Sequence, residues 1–201
     1  MYITLKRFLF AGFTALLLFS LGGCGSSSST YAVKAYSGGQ VVASYEASSY
    51  STGDGRVYAN TAGGRRHVVG GTFSVRRTDA GAANSTARAT KFVAQLYSGG
   101  KVVETLNASE YSGGDGKVYL SVSNSEQVIF GGTYILTNIG ANVEGLSDSA
   151  KYKVTVHNDG VVIGTWYADS YDTGDDKIIL TVKGVSRALI IGGNYVVEQI
   201  R

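Results

Sequence analysis

One short pattern occurs three times along this chain, in the same order and at near-equal spacing, so the fold must be built from three copies of one unit. Tyr36-Ser37-Gly38-Gly39 recurs as Tyr97-Ser98-Gly99-Gly100 and as His157-Asn158-Asp159-Gly160. Tyr50-Ser51-Thr52-Gly53-Asp54-Gly55 recurs as Tyr111-Ser112-Gly113-Gly114-Asp115-Gly116 and as Tyr171-Asp172-Thr173-Gly174-Asp175-Asp176. Each copy closes on a glycine pair with an aromatic two residues beyond it: Gly70-Gly71-Thr72-Phe73, Gly131-Gly132-Thr133-Tyr134, Gly192-Gly193-Asn194-Tyr195.

Within a copy, apolar residues alternate with period two and are mostly β-branched or aromatic, the pattern of half-buried strands. Tyr31, Val33 and Ala35 share one face, matched by Phe92, Ala94 and Leu96 and by Tyr152, Val154 and Val156. The Gly-Gly or Asp-Gly pair that follows supplies the positive φ of a tight hairpin. A second strand carries Val41, Val42 and Tyr45, and Ala47, Ala108 and Ala168 end it where a small side chain permits close packing. A third strand runs over 56–61, 117–122 and 177–182, after the Gly-Asp loop. The last stretch crosses the glycine pair, either as a bulge in one long strand or as a turn between two short ones.

The expectation is therefore an all-β chain of three four- to five-stranded units, at 31–77, 91–137 and 151–201, joined by polar connectors at 78–90 and 138–150. No helix is predicted in this part, and the chain contains no proline. Two arrangements fit. The units can pack together as in β-trefoils and β-prisms, or stand in a row as small barrels or sandwiches. Units of about 50 residues are marginal alone without disulfides or metals, which favours mutual packing.

The N-terminus carries a different kind of signal. Lys6 and Arg7 precede an apolar run from Phe8 to Leu21, interrupted only by Gly12, Thr14 and Ser20. It is too short to span a bilayer, which takes about 18–20 apolar residues, and it has the layout of an export signal. Leu21-Gly22-Gly23-Cys24 resembles the lipobox of bacterial lipoproteins. That resemblance implies cleavage of a signal peptide at 1–23 and attachment of a diacylglyceryl group to Cys24. Cys24 is the one cysteine of the chain, so disulfides and thiol chemistry elsewhere are excluded. Gly25-Ser26-Ser27-Ser28-Ser29-Thr30 reads as a polar tether over 24–30. The resemblance also implies a cell-envelope address, and Gly25, in place of an aspartate, tilts it toward an outer membrane.

Function is less legible. Removing Lys6 and Arg7 leaves 16 basic residues against 15 acidic, a balance that points to no nucleic-acid partner. Arg65-Arg66-His67 and Arg76-Arg77 read as solvated strand ends. His67 and His157 occupy non-equivalent positions with no ligand set around them, and the serines lack a nucleophile elbow. No metal, cofactor or catalytic residue is predicted. An asymmetric active site would also need residues present in one copy alone, and the copy-specific residues are scattered. Tyr50 with Asp54, Tyr111 with Asp115 and Tyr171 with Asp175 are the candidate ligand-binding residues: an aromatic face and a carboxylate suit a sugar, and three copies would give avidity. The same residues equally describe a strand end and a turn, because aspartate bonds its own backbone there. The expectation is a non-enzymatic envelope protein, anchored in the membrane by its lipid, whose β-modules contact protein partners; a multivalent glycan-binding lipoprotein is the alternative.

Overall fold

The computed structural model describes residues 29–79 and 88–201. The expected signal peptide, Cys24 and most of the expected tether lie outside these residues, as does the middle of the first connector.

The described chain is all-β. The first unit holds β1 (Tyr31–Ser37), β2 (Gln40–Gly53), β3 (Arg56–Thr61), β4 (Arg66–Gly70) and β5 (Thr72–Arg77). The second holds β6 (Phe92–Ser98), β7 (Lys101–Ala108), β8 (Glu110–Gly114), β9 (Lys117–Ser121), β10 (Gln127–Gly131) and β11 (Thr133–Asn138). The third holds β12 (Tyr152–Asn158), β13 (Val161–Ala168), β14 (Ser170–Gly174), β15 (Lys177–Val182), β16 (Val185–Gly192) and β17 (Asn194–Gln199). The long β2 of the first unit corresponds to two strands in the others, which break at Ser109 and Asp169.

Turn chemistry sets the hairpins. Both central residues have positive φ at Gly38-Gly39, Gly99-Gly100 and Asp159-Gly160, and again at Asp54-Gly55, Asp115-Gly116 and Asp175-Asp176. This is the mirror-image turn whose twist matches that of antiparallel strands. At the glycine pairs the strand ends on the first glycine and a new one starts after the second, whose φ is 75°, 94° and 108° at Gly71, Gly132 and Gly193. The pair is thus a kink between two strands that pair with different neighbours.

The sheet orders are β4-β3-β2-β1-β5-β10-β9-β8, β14-β15-β16-β11-β6-β7 and β13-β12-β17. Because β7 runs into β8 and β13 into β14 across a single residue, the three sheets follow one another as a continuous ribbon. Each unit is one turn of that ribbon: in the first, the order begins on β4 and ends on β5, as it runs from β10 to β11 and from β16 to β17 in the others, and the chain passes from one end strand to the other across the kink.

The units do pack on one another, and serially. β5 pairs with β10, and β11 pairs with β16, each over four Cα partners. Among the described strands, β4 pairs only with β3 and β17 only with β12. The first and third units therefore share no ladder. A threefold trefoil or prism would need that third joint, and separate beads would need neither of the two present. The physical reason is the kink, which displaces β5 from β4 and hands it to the next unit instead of closing the turn.

Three apolar cores result, one per turn. Val33, Ala47, Val57, Ala59, Phe73 and Val75 fill the first. Phe92, Ala94, Leu96, Leu106, Leu120 and Leu136 belong to the second, and Val154, Val156, Ala168, Ile178, Leu180 and Leu189 to the third. Ala47, Ala108 and Ala168 are fully buried, as expected of small residues at a tight corner. The second connector is not free chain: Ile139 N–H donates to the Lys91 carbonyl at 3.0 Å, and Ala141 and Val143 pack on the third core. At the other end Thr30 is already tied in, its carbonyl accepting from Thr78 N–H at 2.7 Å.

Candidate interaction surfaces

The repeated Tyr-Asp loops are brought to one side of the molecule. Asp54, Gly55, Asp115, Gly116 and Asp176 line a common shallow recess. Of the tyrosines, Tyr50 and Tyr111 are half-buried against their own cores, whereas Tyr171 stays exposed. Tyr50 meets Tyr31, Tyr111 meets Phe92 and Tyr171 meets Tyr152, each edge to face at 4.8, 5.3 and 4.9 Å between ring centroids. Such pairs contribute about 0.5–1.5 kcal/mol beyond their buried area, so these rings serve the packing of their own units. Burial also raises the pKa of Tyr50, with Tyr31 and Tyr119 adding to the effect. The aspartates sit at positive φ, 48° at Asp54, 54° at Asp115 and 50° at Asp175, where Asp is among the few side chains tolerated. Asp115 and Asp175 pair with Lys117 and Lys177 at 3.5 and 3.0 Å. Asp115 and Asp175 therefore have a counter-ion beside them, and no group of three metal-ligating side chains occurs among the described residues.

The joints between units carry a second recurring geometry, to which sequence reasoning gave no functional role. At each joint an aromatic ring of one unit covers the first glycine of the pair in the next. A Cβ on Gly131 would lie 2.2 Å from Phe73 Cε1, and one on Gly192 would lie 2.3 Å from Tyr134 Cε1. Side chains also cross into the neighbouring core in both directions. Ile129 of the second unit joins the first core, and Tyr36 of the first joins the second. Ile190 of the third joins the second core, while Tyr97 and Ile135 of the second join the third.

Polar contacts repeat along the same line. Gly39 N–H donates to Ser98 Oγ at 3.5 Å, and Gly100 N–H donates to Asn158 Oδ1 at 2.8 Å, so each hairpin tip is held by the corresponding tip of the following unit. Tyr36 donates its hydroxyl to Glu104 at 3.0 Å across the first joint, and burial chiefly pushes that phenol up to about 12. Arg76 and Glu126 form an ion pair at 2.9 Å across the same joint.

The two ends of the ribbon lack these partners. Gly70 has no ring above it: a Cβ there would meet only Arg56 Cγ, at 3.5 Å. Gly71 and Gly160 have nothing within 4 Å of such a position. Val68 and Val196 are exposed although they stand on strands. Beside the β17 end, Gly132, Thr133, Gly193, Asn194 and Tyr195 line a second open recess. The signal for these ends was present in the glycine pairs and their aromatics, but a sequence does not show that the ring of one copy reaches the glycine of the next.

No family model, no curated protein and no solved structure matches this chain.

Proposed function

We propose that this protein is a lipid-anchored, non-enzymatic component of a cell envelope, held to a membrane through Cys24, outer rather than inner where there are two, and acting through its β-modules on protein partners. The observation that carries the interaction reading is that, among the described strands, β4 and β17 keep an open edge where their counterparts β10 and β16, and β5 and β11, pair across the joints between units. An exposed edge presents a row of unpaired N–H and C=O groups, and natural proteins blunt such edges unless they are used. Here the edges carry exposed valines, Val68 and Val196. The lipobox-like Leu21-Gly22-Gly23-Cys24 and the small net charge support the address and the absence of a nucleic-acid partner.

Two measurements test this. The full chain, expressed in a bacterium and fed labelled palmitate, incorporates label, and Cys24→Ser abolishes both label and membrane retention; retention unchanged by the substitution contradicts the anchor. A photoreactive residue at position 196 captures a protein neighbour in native membranes, whereas the same residue at exposed Asp172 captures none. Equal capture at both, or at neither, contradicts an edge-mediated role.

Glycan binding through the repeated loops is a second reading, favoured by the gathering of Asp54, Asp115 and Asp176 on one recess. Replacing Asp54, Asp115, Asp175 and Asp176 together by Asn keeps the turns, since Asn tolerates positive φ, and removes the carboxylates. Glycan-array binding lost in that variant supports the reading, and no binding by the parent chain refutes it.

A further inference from the structure

We propose that the partner of these edges is a second copy of this chain: β17 of one molecule adds to β4 of the next, and the ribbon continues head to tail. This deepens the interaction reading above and rests on it. The grounds are that the same joint is already made twice within the chain, and that each end carries one half of a third.

The register follows from the two existing joints. Phe73 pairs with Gly131 and Tyr134 pairs with Gly192, which aligns Tyr195 with Gly70 of the following copy. Continuing outward, Val196 meets Val69, Val197 meets Val68 and Glu198 meets His67. The Tyr195 ring then covers Gly70, the one first glycine of the three pairs that no ring now occupies. Exposure reports the same vacancy. Val68 is 57% exposed, whereas its counterparts Ile129 and Ile190 are 0%. Val196 is 51% exposed, whereas its counterparts Ser74 and Ile135 are 3% and 1%.

The direction of each side chain agrees. Ile129 and Ile190 enter the core of the preceding unit, so Val68 is directed at the third core of a preceding molecule, where Val197 already stands. Tyr36 and Tyr97 enter the core of the following unit, and His157 is their counterpart at the β12 tip. Gly160 N–H stands where Gly39 and Gly100 donate to Ser98 and Asn158, which assigns Ser37 of the following copy as its acceptor. Charge fits as well. The Arg76–Glu126 pair across the first joint maps onto Glu198, which Lys153 already binds at 2.7 Å, and Arg65, the same pair with its signs exchanged. A joint between unlike surfaces that does not close on itself propagates as an open filament.

The test uses the full-length lipoprotein in native membranes. Val68→Cys and Val197→Cys in one chain, under mild oxidation, should give a ladder of dimers, trimers and longer species, because opposed Cα atoms in a sheet lie within disulfide range. The control pair, Val68→Cys with Val42→Cys, is similarly exposed and should give none. Adding Gly70→Ala to the first pair should reduce the ladder about tenfold by placing a methyl where the Tyr195 ring must lie, while circular dichroism and thermal unfolding stay as in the parent. Monomer alone from the in-register pair, an equal ladder from the control, or a ladder indifferent to Gly70→Ala overturns the proposal. Capture of a different protein at position 196 also overturns it, but leaves the edge-mediated interaction reading standing; capture of nothing removes both.

Discussion

At the scale of single residues, glycines under aromatic rings separate the joined turns of the ribbon from its free end. Gly131→Ala forces a methyl into the Phe73 ring and should cost about 1–3 kcal/mol in denaturant unfolding, the usual cost of overpacking. Gly53, on a strand with nothing within 4 Å of an added Cβ and no positive φ, should accept alanine with a gain of up to about 1 kcal/mol. Tyr36 gives a pH signature for the first joint. Its folded pKa, about 12, exceeds the ordinary 10.0, so its stabilising effect is complete below pH 10 and is lost as pH rises toward 12. Tyr36→Phe should remove about 1 kcal/mol at neutral pH, the worth of a hydrogen bond, and should weaken the fall in melting temperature between pH 10 and 12. Tyr97, Tyr50 and Tyr134 are shifted in the same direction by burial, so part of that fall remains.

At the scale of elements, the turns and strands were legible in the sequence because they are decided locally. Glycine and aspartate at fixed places in each copy announce positive φ, and alternating valines, tyrosines and leucines announce strands. The Tyr-Asp pairs were legible as recurring residues, but not as rings packed edge to face within their own units beside turn aspartates, since a binding loop and a turn use the same residue types. Asp54→Asn should leave stability within about 0.5 kcal/mol, whereas Asp54→Val, β-branched at a φ of 48°, should cost about 1–2 kcal/mol. The hairpin tips act as latches between units. Asn158 is buried, accepts from Gly100 N–H and donates to Thr133 Oγ1 at 3.2 Å. Asn158→Ala leaves both groups unsatisfied and should lower stability by about 2 kcal/mol, read as a lower denaturant midpoint.

At the scale of the whole molecule, the three units could be counted from the sequence, and their mutual packing followed from the small core each can build alone. The serial arrangement could not be read, because it depends on strand pairing between residues far apart in the chain, such as Phe73 with Gly131, and no local pattern encodes a partner. The same non-local joint gives the molecule its two unlike ends. The proposed tether through Cys24 would confine the protein to a surface, which would raise its local concentration and favour contact between those ends. The most direct test is amide hydrogen exchange of the parent chain followed from dilute to concentrated solution. In dilute monomers the amides of β10 and β16, which are paired on both sides, should be protected while the outward amides of β4 and β17, which are paired on one side, exchange rapidly; on concentration those outward amides should gain protection together. Equal protection of all four strands in the dilute monomer, or rapid exchange of β4 and β17 at every concentration, would contradict the account.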